Sequence, residues 1–344
     1  MADNLLLRAL QGQPKRLNLC NRHLDKLPKS IRRIESLCEL NLKNNNLKKL
    51  PDELTYLLQL QMLHLGNNEF EDFPSILQHI NSLQKLHMFG NKITDIHPSC
   101  LNGFRDLRFL NLNNNKLKTL PSEIGNLQNI EFLSLDNNEI QTLPVEICAL
   151  STLKELHAAG NQMTSLPLEF GYLTQLEKLF IQKNKIRELP EGIGKCYHLQ
   201  VLDVAGNDLR IFPTEISSLP LKELHCEENP LLQHVPIHSL QEEEVLTLKE
   251  IVARFVLKEM RGRWSYLRRS IRHYPQLQDM LAQSSKCAVC GEAFLNTWLE
   301  CVHFVDTKTM KIRNMNGKIP VRALLCSYTC FNSEGHEYYG VAFP

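Results

Sequence analysis

Cys287-Ala-Val-Cys290-Gly291 sets two thiols on one tight turn, and Cys326-Ser-Tyr-Thr-Cys330 sets two more on another. A pair of close cysteines on each of two turns can supply four thiolates to a tetrahedral zinc ion. Four thiolates leave no open coordination position, so the chemistry implied is structural rather than catalytic. Cys301 and His303 lie between the pairs and are alternative donors on spacing alone. A segment of ~60 residues buries little core, which gives it a use for such a staple.

The elements that would carry these thiols read as strands. Thr297 to Val305 and Lys318 to Val321 alternate apolar and polar residues with a period of two. Before them the spacing predicts helices. Thr247-Leu-Lys-Glu250 reads as a capping box, and Leu248, Ile251, Val252, Phe255, Val256 and Met260 recur at three- and four-residue steps as far as Gly262. Further helices are expected over Ser265 to His273 and from Tyr274-Pro275 to about Ala282, and their simplest role is to cover the end of the elements before them. Arg261, Arg263, Arg268, Arg269 and Arg272, interleaved with Trp264 and Tyr266, read as a solvated helix face with arginine stems packed on aromatics.

Everything before the helices is one repeated unit. Leu37-x-x-Leu40-x-Leu42-x-x-Asn45-x-Leu47-x-x-Leu50-Pro51 returns at Leu83 and again at Leu153. Its asparagine falls at 45, 68, 91, 115, 138, 161, 184, 207 and 229, in steps of 23 residues with one of 24 and a last of 22. An earlier unit carries Arg22 at that place, which makes ten repeats with an atypical first one. Leu-x-Leu is a short strand with both leucines turned inward, and the asparagine amide can donate to and accept from neighbouring turns. Leu-Pro then opens an outer helical or 3-10 turn. The sequence therefore predicts an α/β leucine-rich-repeat solenoid with a curved parallel sheet over 1–236, a helical capping or docking segment over 237–283, and a cysteine-rich zinc-binding domain over 284–344.

Function on such an array belongs to the outward strand positions of its concave side. There the sequence places Phe89, Phe109 and Phe132 on consecutive repeats, a grouping that reads as one exposed patch anchoring a protein partner, with Phe180 further along. His64, His87 and His157 line the same side and read as hydrogen-bonding groups toward that partner. Two neighbouring histidines without a carboxylate or thiolate make a poor metal site. No nucleophile, base and orienting group fall at a spacing that implies catalysis, so a non-enzymatic protein-binding scaffold is expected.

Composition agrees with that class. The 344 residues carry a net charge of +1, which gives no field toward nucleic acid or anionic membrane. No apolar run is long enough to span a bilayer, and the N-terminus does not read as a secretory signal. Eleven cysteines, six of them scattered singly, fit a reducing compartment; an intracellular, cytoplasmic location is expected.

The frame with Leu-Pro-x-Glu-Ile, as at Pro121-Ser-Glu-Ile and Pro144-Val-Glu-Ile, resembles the intracellular class of leucine-rich-repeat proteins, which implies a scaffold or adaptor. A second resemblance lies in Thr247-Leu248-Lys-Glu-Ile-Val252-Ala-Arg-Phe-Val256. It is similar to the BC-box helix by which substrate receptors dock on elongin B/C, and Tyr274-Pro275-x-Leu277 resembles the segment such receptors offer to a cullin. That resemblance implies docking through Leu248, Val252 and Val256 in a ubiquitin ligase, although Val252 stands where Cys, Ser or Ala is usual.

Overall fold

A computed structural model describes residues 12–232, 246–262, 265–295, 299–333 and 335–340. The end of the repeat frame at Val235-Pro236, and Arg263, Trp264 and Trp298, lie outside the described residues. Two compact units form, and they interleave in sequence. One comprises Met1–Leu209, Ser218–Pro230 and Lys308–Asn316; the other comprises Arg210–Ser217, Leu231–Thr307 and Gly317–Pro344.

The first unit holds ten three-residue strands: β1 (Arg16–Asn18), β2 (Glu39–Asn41), β3 (Met62–His64), β4 (Lys85–His87), β5 (Phe109–Asn111), β6 (Phe132–Ser134), β7 (Glu155–His157), β8 (Lys178–Phe180), β9 (Val201–Asp203) and β10 (Glu223–His225). They pair in chain order as one parallel sheet. The central leucines stay in register, from Leu17 against Leu40 to Leu202 against Leu224, and all are buried. The outer segments are single 3-10 turns, and in most repeats a proline stands immediately before the turn, as Pro51, Pro121 and Pro144 do. Proline has no N–H to leave unpaired and its φ suits the entry.

The asparagines lock these repeats together. Asn138 Nδ2 donates to Leu135 O of its own repeat at 2.9 Å and to Leu112 O of the preceding one at 3.0 Å, while its Oδ1 accepts Leu117 N–H at 3.1 Å. The same pattern recurs at Asn45, Asn68, Asn91, Asn115, Asn161, Asn184 and Asn207, all of them buried. A second asparagine row sits one residue earlier at left-handed turns: Asn67 donates to Asn44 at 2.8 Å and Asn137 to Asn114 at 3.1 Å. Gly90 takes this left-handed place beside Asn67, whose Oδ1 a Cβ would meet at 2.1 Å.

The last strand would expose a row of backbone groups. Lys308–Asn316 closes it, from ninety residues further along the chain. Asn314 Nδ2 donates to Leu224 O at 2.9 Å and its Oδ1 accepts Leu224 N–H at 3.0 Å, so one side chain imitates a paired strand. Arg313 N–H donates to Lys222 O at 2.9 Å, and Met310 and Ile312 are buried. The backbone edge of β10 is thus paired by a loop of the same unit.

The second unit holds α1 (Leu248–Met260), α2 (Tyr266–Ser270), α3 (Pro275–Ala282), the hairpin of β11 (Ser285–Lys286) with β12 (Ala293–Phe294), and a three-stranded antiparallel sheet of β14 (Lys318–Leu325), β13 (Leu299–Asp306) and β15 (Tyr339–Gly340). Thr247 Oγ1 caps α1 by accepting Glu250 N–H at 3.2 Å. The Glu250 carboxylate is fully buried, where it accepts Leu295 N–H at 3.0 Å and the Arg254 guanidinium at 2.6 Å. Ala253 packs with Leu281 and Leu295, and Val256, Leu257 and Met260 pack against that cluster.

Replacing Asn138 by Ala strands Leu112 O, Leu135 O and Leu117 N in the core. We expect a loss of about 3 kcal/mol in urea unfolding, against less than ~0.5 kcal/mol for Asn126→Ala on an exposed outer turn.

Candidate functional site

The outward side of the parallel sheet carries a continuous row of six rings. His64 and His87 stack at 4.7 Å, His87 and Phe109 lie 4.6 Å apart, and Phe109 and Phe132 stack at 4.3 Å with planes only 3° apart. Phe132 and His157 follow at 5.0 Å, and His157 and Phe180 at 4.5 Å. Strand spacing of ~4.8 Å suits this stacking. The row also changes column. His64 and His87 stand at the third position of their strands, Phe109 and Phe132 at the first, His157 and Phe180 again at the third. Diagonal contact between first and third positions of adjacent strands lies within reach of aromatic side chains.

All six rings are half-buried rather than exposed, because each covers its neighbours. Phe89, expected in one patch with Phe109 and Phe132, stands apart from them. It follows β4 in the next outward column, its ring seats over Gly66, where a Cβ would lie 2.6 Å from it, and Lys43 Nζ is 5.0 Å from its centroid. The expected grouping fails because Phe89 and Phe109 fall on opposite sides of the middle column.

Burial lowers His87 most, and His64, Lys85 and Lys43 add to it, so its pKa falls to about 4. His87 is therefore a neutral member of the row at neutral pH. His157 lies 3.5 Å from Glu155 and 3.8 Å from Asp136, yet its Nε2 has no aligned hydrogen-bond partner. Glu155 is held by Lys178 at 2.8 Å.

In the second unit, Cys287, Cys290, Cys326 and Cys330 converge, with all four sulfurs within 4.8 Å of one another. Cys290 to Cys326 is 3.5 Å and Cys326 to Cys330 is 3.6 Å. Zinc–sulfur bonds of 2.3 Å in a tetrahedron require sulfurs about 3.8 Å apart, so the set fits that ion. The first pair sits on the turn of the β11–β12 hairpin, where Gly291 adopts φ +71° and donates to Cys287 O at 3.0 Å. The second pair joins the end of β14 to α4 (Tyr328–Phe331), whose cap Ser327 accepts Cys330 N–H at 3.3 Å. Burial pushes the Cys287 thiol up, but backbone N–H groups of Cys290, Cys326 and Val289 outweigh it and bring the pKa to about 7. Burial beside the other sulfurs holds Cys326 well above the thiol range. Cys301 is buried nearby, raised to about 12, and lies outside the set, as does His303, whose ring meets Tyr338 at 5.4 Å.

On α1, Leu248 is 77% exposed and Val252 50%, with Ile251 and Phe255 exposed beside them. Val256, at the inner margin of the same stripe, is instead partly buried against the Ala253 cluster, so the three expected docking residues are not equally exposed. Arg261 bonds Gly291 O at 2.7 Å and Glu292 at 3.1 Å, while Arg268, Arg269 and Arg272 face solvent. Among the described residues no helix is long and apolar enough to cross a membrane.

The depressed pKa of His87 has a sign. Its charged form is favoured when unfolded, so this contribution to stability is complete above about 6.5 and is lost as pH falls toward about 4. We expect unfolding midpoints to drop across that window, and His87→Phe to flatten the drop, with the imidazole titration followed by NMR.

Comparison with known proteins places this geometry. The leucine-rich repeat region family matches residues 91–184, and the leucine rich repeat family matches residues 36–57. Leucine-rich repeat-containing protein 69 of Xenopus laevis is 48% identical over 131 residues, covering 38% of each chain. The Homo sapiens protein of the same name is 40% identical over 123 residues, covering 36% of this chain and 35% of its own. The matched stretches thus span little more than a third of these relatives. Among solved structures, the plant peptide hormone receptor RGFR1 in complex with RGF2 aligns with a TM-score of 0.53 and 27% identity, over 59% of this chain and 34% of that one. With its ten parallel Leu-x-Leu strands and buried asparagine ladder, the chain has the leucine-rich-repeat fold, and over about a third of its length it is similar to leucine-rich repeat-containing protein 69.

Proposed function

We propose that this protein is a non-enzymatic scaffold that binds a protein partner on the outward face of its parallel sheet, through the row His64, His87, Phe109, Phe132, His157 and Phe180. The observation that carries the reading is the row itself. The inward leucines and asparagines already hold the repeats, so this half-buried aromatic strip adds anchoring area where partner side chains can reach. Phe89, over Gly66, offers a separate contact in the next column. The peptide hormone receptor to which the fold is similar is itself described in a complex, which supports recognition by a leucine-rich-repeat array in general terms.

The four cysteines hold structural zinc in this reading. Closed four-sulfur coordination supplies no reactive position, and Cys287, Phe294, Cys301 and Leu325 build a small core around it. None of the eleven cysteines is in a disulfide, which suits a reducing, intracellular setting.

A second reading is favoured by the exposed stripe Leu248, Ile251, Val252 and Phe255, which follows the spacing of a helix laid in a groove. In it the chain is the substrate-recognition subunit of an elongin B/C–cullin ubiquitin ligase. The partial burial of Val256 counts against the full motif.

Two measurements check these readings. Tagged protein is recovered from cells as wild type, as Phe109→Ala/Phe132→Ala and as Leu248→Ala/Val252→Ala, with folding verified by circular dichroism. The scaffold reading expects a partner lost with the phenylalanine pair and kept with the helix pair. Elongin B/C lost only with the helix pair would establish the second reading. Separately, elemental analysis of protein purified under reducing conditions is expected to give one zinc per chain, and Cys326→Ser to abolish it. Metal-free wild-type protein would refute the zinc assignment.

A further inference from the structure

The row of rings ends at Phe180 because the register partner on the next strand is Asp203. His157 stacks on one side of the Phe180 ring, and among the described residues no ring covers the other. An aspartate is too short to cover it. The open ring face therefore borders the position of Asp203, and the next outward residue after that strand is the small Ala205.

The carboxylates around this opening are not in ion pairs among the described residues, and the register partner of Asp203 on β10 is His225. Asp203 Oδ1 takes Ala205 N–H at 3.1 Å, and no cation among the described residues pairs with the carboxylate. Burial, with the Glu227 charge adding to it, raises its pKa more than the Ala205 N–H and His225 lower it, the sign of an incompletely compensated charge. Gln182 Oε1, in the following column of the preceding repeat, is buried with no hydrogen-bond partner. Glu223 and Glu227 are exposed on and just after β10, and neither is in an ion pair among the described residues. Lys178, on the same strand as Phe180, is already committed to Glu155.

The outward columns are polarised to match. From β6 to β10 they carry Asp136, Glu155, Asp203, Glu223 and Glu227 against Lys178 alone, whereas from β2 to β5 they carry Glu39 against Lys43 and Lys85.

We propose that Phe180 and Asp203, with Glu223 and Glu227 at the rim, form an anchor for an arginine side chain of an extended basic segment of the partner protein. This rests on the reading of the outward face as the binding surface, and names the chemistry at one end of it. A guanidinium can lie flat on the Phe180 ring while its in-plane N–H groups donate to Asp203. A lysine ammonium offers no such plane. A phosphate backbone is repelled by the five carboxylates. A bare metal ion lacks the donors, since the cysteine set is the only group of three or more close metal-ligating side chains among the described residues.

The test is a random dodecapeptide library selected on the full chain, followed by anisotropy with the enriched peptide, synthesised with a fluorophore. Arginine is expected in the enriched sequences. Asp203→Asn, which keeps the acceptor for Ala205, should weaken binding by about tenfold or more, and Glu223→Gln, at an exposed site, by less. Replacing the peptide arginine by lysine should weaken binding, and by glutamate abolish it. Peptides enriched without arginine, or bound equally by wild type and both variants, overturn the anchor. If such peptides are still lost with Phe109→Ala/Phe132→Ala, the binding face survives and only its chemistry is wrong. A library that yields no binder overturns the anchor, and the co-purification above then decides the face.

Discussion

The asparagine at each strand exit is the constraint on which the repeat array depends. Packing Leu-x-Leu strands side by side buries the backbone of every turn that leaves them. One amide per repeat satisfies two carbonyls and an N–H that would otherwise each cost about 1–3 kcal/mol. Because each amide reaches into the preceding repeat, as Asn138 does to Leu112 and Leu117, it also fixes the register of neighbouring strands. Where the array runs out, the principle continues by other means: Asn314 supplies to Leu224 the pairing an eleventh strand would have given.

Fixed register has a consequence for the outward face. Side chains there do not set the register, so their types can vary from repeat to repeat, as the ring row and the Glu155–Lys178 pair do. Held at one strand spacing, they bring rings from six repeats into stacking contact, and the row can shift columns without breaking. It stops where an aspartate replaces the next ring, which turns an apolar strip into an acidic end.

Much of this was legible in the sequence. The period of 23 residues revealed the array, and Thr247, Ser265 and Pro275 marked the helix starts that the structure has. The four cysteines that converge are those whose spacing suggested ligands. Phe109 with Phe132 was readable, since both occupy one column. The full row was not, because columns read separately hide the diagonal contacts of His87 with Phe109 and of Phe132 with His157. Phe89 misled for the same reason. Glu250 reads as a surface capping residue and is fully buried, since only the fold brings Leu295 N–H to it. The closure by Asn314 joins residues ninety apart, and no local pattern announces it.

The central claim is that the outward face of the sheet is where this protein meets its partner. A photo-crosslinking amino acid placed at Asn111, beside Phe109 on that face, tests it against the same group at Leu168, which is exposed on an outer turn. Irradiation in cells is expected to give a discrete higher-mass adduct from position 111 and none from 168. Adducts from 168 alone would contradict the account and move recognition to the outer turns.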